Sequence, residues 1–295
     1  MDINLWSLLT LLSKFIFYLG VAGAVGGWFC LLLLQRHQPY FLAILRYLRF
    51  ASALGFFATL SSFFIQAGAV MDEGFAGLLD KNTLSILANS SVGSATLNRL
   101  IGFCLIILSL YYFQIESLKK TAKLWIRIFT ALSGTAFLIF SFAQVGHMAE
   151  ENVLAHFAIS FHVLTMSLWM GSLYPLWLIS HSNNVENVQI SMDKFGRIAA
   201  VIVGVLVLCG VYMAYIRVGG LNPLFTTLYG RGLLVKFLLV ACLLLFAANN
   251  KWRLVPKLNE PKILPELTRA IAMEMTLGTL IFCITGIVTT LIGIE

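Results

Sequence analysis

Apolar residues run through this chain in eight long blocks, at about 5–34, 42–70, 98–116, 124–145, 153–180, 197–216, 231–250 and 268–293. A helix of about 20 residues crosses a ~30 Å hydrocarbon layer, and the blocks are of that order; the longer ones have room to tilt. The pattern predicts an all-α fold: a polytopic membrane helical bundle of eight transmembrane helices. No segment between the blocks is long enough to be a soluble domain, so residues 1–295 read as a single integral membrane domain.

Composition agrees. The chain is 59% hydrophobic and 11% charged, whereas soluble domains carry about 25% charged residues. The net charge of +7 therefore points to basic loops on one membrane face, and nucleic acid is not an expected partner. Most Lys and Arg, from Arg36 to Arg269, fall in the connections between blocks 1–2, 3–4, 5–6 and 7–8. The positive-inside rule makes those loops cytoplasmic and both termini external, N-out and C-out. Asp72, Glu73, Asp80, Glu150 and Glu151 fall on the outer side. The first block lacks a basic leader and runs past a signal-peptide core, so it reads as a retained span. Five cysteines lie singly inside apolar runs, as buried small hydrophobes do.

A faint internal repeat is visible. Gly93 precedes Arg99 by six residues, as Gly230 precedes Lys236; Tyr18 and Gly27 are nine apart, as are His162 and Gly171. Two parallel four-helix repeats account for both matches, because four spans return the chain to the same side.

Chemistry concentrates in Gly146–Pro175, which holds three of the five histidines: His147, His156 and His162. His162 stands about nine residues into the fifth span, ~13 Å down at 1.5 Å per residue. An ionisable group at that depth is a functional candidate. Met166 and Met170 follow at i+4 and i+8 on the same face. Imidazole and thioether together suit copper, above all Cu(I), with Cu(II) also open. The structural alternative is a hydrogen-bonded interhelical His beside a Met packing stripe. His147 and Met148 stand at the outer end of span 4, on a route to His162. His156 is six residues before His162, off that face, and reads as an outer relay or a surface His.

Lys14, Arg99 and Lys236 lie in or at the edges of spans; they either bind backbone carbonyls or snorkel outward. Gln66 and Gln144 read as interhelical hydrogen bonders. Glu274, level with Asn249, Asn250 and Arg253, is either part of a structural polar cluster or an inner exit gate. The glycines of span 1 mark a packing seam. No hydrolase, P-loop or dinucleotide motif is present, so no catalytic residue is expected.

At these residues the chain resembles the copper resistance protein D (CopD) family. The matching pieces are Gly146-His147, the His162-x6-Trp169-x-Gly171 run ending at Pro175, and Tyr229-Gly230-Arg231 with Lys236. Asn250-x2-Arg253-x2-Pro256 and Glu274-x3-Gly278 match as well. They span roughly residues 146 to 290; in the first half the resemblance is weaker and rests mainly on Gly93 and Arg99. The resemblance implies an eight-helix bacterial inner-membrane protein tied to copper uptake from the periplasm, with a small CopC-type periplasmic carrier as partner. Family members often carry a first-helix His where Tyr18 stands here.

Three readings follow: a permease passing copper from His147 and Met148 to His162 and Met166 and then inward, a haem-binding membrane oxidoreductase with bis-His ligation, and a membrane docking or sensing partner for a periplasmic copper carrier.

Overall fold

The computed structural model describes residues 4–34, 40–71, 74–111, 120–146, 150–182 and 184–292, with the backbone alone over 120–123. Among them there are ten α-helices and no strand: α1 Leu5–Leu33, α2 Phe41–Met71, α3 Lys81–Ala88, α4 Ser91–Tyr111, α5 Lys120–Phe140, α6 Val153–Ile179, α7 Val185–Val218, α8 Leu221–Thr226, α9 Leu228–Asn249 and α10 Ile263–Ile287. A π-helical turn, Asn250–Leu254, and a 3₁₀ turn, Val255–Lys257, extend α9; a second π-helical turn, Val288–Ile292, extends α10.

Among the described residues, seven helices are long and apolar enough to cross a membrane: α1, α2, α4, α6, α7, and α9 and α10 with their extensions. The eighth expected span corresponds to α5, whose apolar part, Leu124–Phe140, is shorter.

Helix ends follow side-chain caps. Asn4, Asn152 and Asn184 each accept a backbone N–H at the starts of α1, α6 and α7. The Asn184 cap starts α7 twelve residues before the apolar block does. The loop expected after block 2 holds the 3₁₀ turn Gly74–Leu79 and α3. Asp80 caps α3, accepting from the Thr83 amide at 2.8 Å. That bond holds the exposed carboxyl below its ordinary range.

Lipid tails are as apolar as Leu, so helices associate in a membrane by close packing, and small residues permit it. Gly26 of α1 faces Gly171 of α6, where a Cβ would fall 2.5 Å from the opposing backbone. Gly20 meets Gly55 of α2 at a similar approach, and Gly102 of α4 meets Gly134 of α5. The α1–α6 pair joins two apolar cores. One gathers Phe103, Ile106, Leu48 and Leu138 from the first five helices. The other gathers Trp169, Leu173, Leu243 and Leu267, chiefly from α6 onward.

Two matching joints stand at the starts of α4 and α9. A Cβ on Gly93 would meet the Ala88 carbonyl of α3 at 2.2 Å, and one on Gly230 would meet the Pro223 carbonyl of α8 at 2.4 Å. Each glycine lets a short helix fold back onto the longer helix that follows it.

Candidate functional site

Helix α6 holds the candidate residues in one continuous helix although Pro175 lies inside it. Proline has no N–H, so the carbonyl four residues back loses its helical partner. That carbonyl belongs to Gly171, and the Tyr47 hydroxyl of α2 donates to it at 3.2 Å.

His162 is half-buried, and its Nδ1 lies 3.1 Å from the Leu206 carbonyl of α7. A carbonyl only accepts, so Nδ1 carries the hydrogen and, in the neutral ring, the Nε2 lone pair is free. This is the arrangement in which metal-binding imidazoles are usually oriented, with one nitrogen fixed by a carbonyl and the other presented. Gly210 makes the approach possible: a Cβ there would stand 3.2 Å from the ring's Cε1.

Met166, one turn on, is half-buried and lies on the same helical face as His162. Met170 is ~12 Å further along α6 than His162. Its sulfur and methyl press on Gly278 of α10. The stripe thus begins against α7 and ends against α10, and His162 and Met170 cannot hold one ion together. Met170 also borders a cavity of about 670 Å³ between α1, α2, α6 and α10, lined by Tyr47, Tyr174, Met275 and Arg46 among others. Trp169, 2% exposed, is a core residue of the second half. Gly171 is the α1 contact. Both motif positions pack α6 into the bundle.

His156 is half-buried, not on the open surface, and its Nε2 is enclosed without a hydrogen-bond partner among the described residues. His147 and Met148 lie outside the described residues. No group of three His, Cys, Asp or Glu among the described residues could hold a metal ion; thioethers would have to complete any site at His162. All five cysteines are free.

Three basic residues lie inside the spans or at their edges. Lys236 of α9 lies within electrostatic reach of His162. Arg99 turns inward instead of snorkelling: its guanidinium lies over Phe17 at 4.5 Å and Phe142 at 5.7 Å, and Nε donates to Ser141 Oγ at 3.2 Å. Tyr18 is within electrostatic reach of Arg99 and hydrogen-bonds Thr289. Lys14 donates to the Thr289 carbonyl at 3.3 Å, one of the two roles expected for it. In the same region Asn98 donates to Gln144 Oε1 at 2.7 Å. At the other end, Asn250 donates its amide to Glu274 Oε1, and both side chains are buried.

Sequence reasoning passed over Leu206, Gly210, Tyr47 and Thr289. A backbone carbonyl has no sequence signature. Gly210 had one: a glycine inside an apolar span marks a close approach.

These features define a polytopic helical membrane protein with imidazole and thioether donors along one inner helix. Residues 4–157 match the family described as copper resistance protein D-like, N-terminal domain, and residues 190–288 match copper resistance protein D. The chain belongs to the copper resistance protein D family. The match thus takes in the first half, where the motif resemblance was thin. It is also similar to the inner membrane protein YebZ of Escherichia coli strain K12, with 25% identity over 280 residues and 90% of each chain covered. No solved structure matches it.

Proposed function

We propose that this chain carries copper ions inward across the bacterial inner membrane, through stations on α6. The observation that carries the reading is His162: Leu206 fixes Nδ1, leaving Nε2 free, and Met166 stands one turn on. Copper, most readily Cu(I), is taken up near His147 and Met148 on the outer face, with His156 as an outer relay. It passes to His162 and Met166, then to Met170 as a separate station. Soft thioethers favour Cu(I) over harder cations. Family membership and the similarity to an inner membrane protein support copper and that location.

In this reading α5 completes eight spans, with both termini outside, and a CopC-type carrier delivers the ion. The two halves are parallel repeats. Supporting this, Arg99 faces Tyr18 in the first half as Lys236 faces His162 in the second, and Gly93 and Gly230 form the same joint. Lys236 repels a cation at His162, which suits a site that must let its ion leave.

The test is copper content of purified wild type and His162→Ala, read with an absorption spectrum and copper accumulation in cells. Wild type should retain copper and the variant lose it at unchanged folding. Equal copper in both overturns the site; a Soret band lost in the variant replaces it with haem ligation.

A further inference from the structure

Glu274 is the deepest acid among the described residues. It is 4% exposed, and its partner Asn250 is 7% exposed. No ion pair forms with it among the described residues; its hydrogen bond comes from the Asn250 amide. Asn250 Oδ1 is enclosed with no hydrogen-bond partner among the described residues. The elements packed against the pair carry, among other titratable or charged groups, Tyr174 of α6, Cys30 of α1, Cys242 of α9, Lys251 and Arg253 of the π-helical turn, Arg269 of α10, and Asp193, Lys194 and Arg197 of α7. Cys30 is engaged with the Ser172 carbonyl, and Arg253 is exposed.

An ionised carboxylate without a counter-charge is costly in such surroundings. One amide donor does not compensate it, whereas a proton removes the charge. The pair is also built on an unusual backbone. Asn250 opens the π-helical turn, and such turns are frequent at functional sites. An amide can turn over beside a carboxyl: its N–H₂ serves the ionised acid, and its oxygen accepts from the protonated one. Asn250 therefore offers a partner to both forms.

The pair also lies on the path already described. Met170 presses on Gly278, and Glu274 is one turn of α10 from Gly278. The soft donors of α6 thus lead to an oxygen donor on α10.

We propose that Glu274, held by Asn250, is a proton-exchange site at the inner end of this route. Resting on the copper reading, Glu274–COOH and arriving Cu⁺ give Glu274–COO⁻ with Cu⁺ beside it, and the proton leaves to the inner aqueous side. Charge across the pair is conserved, and no oxidant or reductant is needed.

The copper-free test is infrared titration of the purified full chain. Wild type should show a protonated-carboxyl C=O stretch that moves in D₂O and disappears as pH rises. Glu274→Gln, neutral and of the same size, should lack it. Asn250→Ala should keep the band at a changed frequency. A folded wild type with no titrating carboxyl band, or a band unchanged in Glu274→Gln and Asn250→Ala, overturns the assignment. The second arm adds Cu(I) to weakly buffered proteoliposomes. Wild type should release protons and Glu274→Gln should bind copper without release; equal release from both overturns the exchange. A titrating Glu274 band in a protein that takes up no copper refutes the permease while upholding the proton site.

Discussion

The Tyr47 hydroxyl donates to the Gly171 carbonyl that Pro175 strips of its helical partner. A helix from the first half thus repairs a helix from the second, beside the glycine seam joining α1 to α6. Tyr47→Phe should cost about 1 kcal/mol, the net worth of one such bond. Thermal unfolding in detergent should show the loss. An unchanged midpoint would mean that water or lipid serves the carbonyl equally well.

Gly210 sets where the His162 ring lies. Gly210→Leu should displace the ring from Leu206 and cost about 1–3 kcal/mol by overpacking. Its copper retention should fall to that of His162→Ala. Retention at the wild-type level would show that the ring's place against α7 is irrelevant to binding.

Lys236 tests the electrostatics of the same site. Lys236→Met removes a positive charge within reach of the imidazole and should tighten Cu(I) binding by about tenfold, or about 1.4 kcal/mol. Lys236→Arg keeps the charge and should leave affinity near wild type. Competition against a chelator of known affinity measures both. Weaker binding in the Met variant would make Lys236 a helper of the site rather than an opponent.

Asp80 gives a pH dependence outside the membrane. The Thr83 amide lowers its folded pKa from the ordinary 3.8. The cap is therefore at full strength above the unfolded value and is lost as pH falls through the folded one. Hydrogen exchange at the start of α3, corrected for intrinsic rates, should quicken on acidification in wild type. In Asp80→Ala it should be fast throughout and insensitive to pH.

The helices were legible because lipid demands long apolar runs, and the runs are plain from Leu5 to Ile287. Their ends were less so. Asn184 starts α7 well before the apolar block, since capping depends on one side chain and not on hydropathy. His162 was found from depth alone, and the Met stripe from its spacing. Spacing gave no hint that the stripe passes from α7 to α10, because the neighbours of a helix are set by packing. Arg99 was misjudged for a related reason. Its distance from the helix start suits snorkelling, but the aromatic faces of Phe17 and Phe142 draw it inward.

The joints at Gly93 and Gly230 have a mechanical consequence. With no room for a side chain at either bend, α3 is packed onto the start of α4 and α8 onto the start of α9, each pair shaped as one crooked lever. The short arm lies at the end of the bundle where α4 and α9 begin, and the long arm carries Arg99 or Lys236 nearly two turns below. Any force that rocks the short arm therefore shifts a half-buried positive charge relative to Tyr18 or His162.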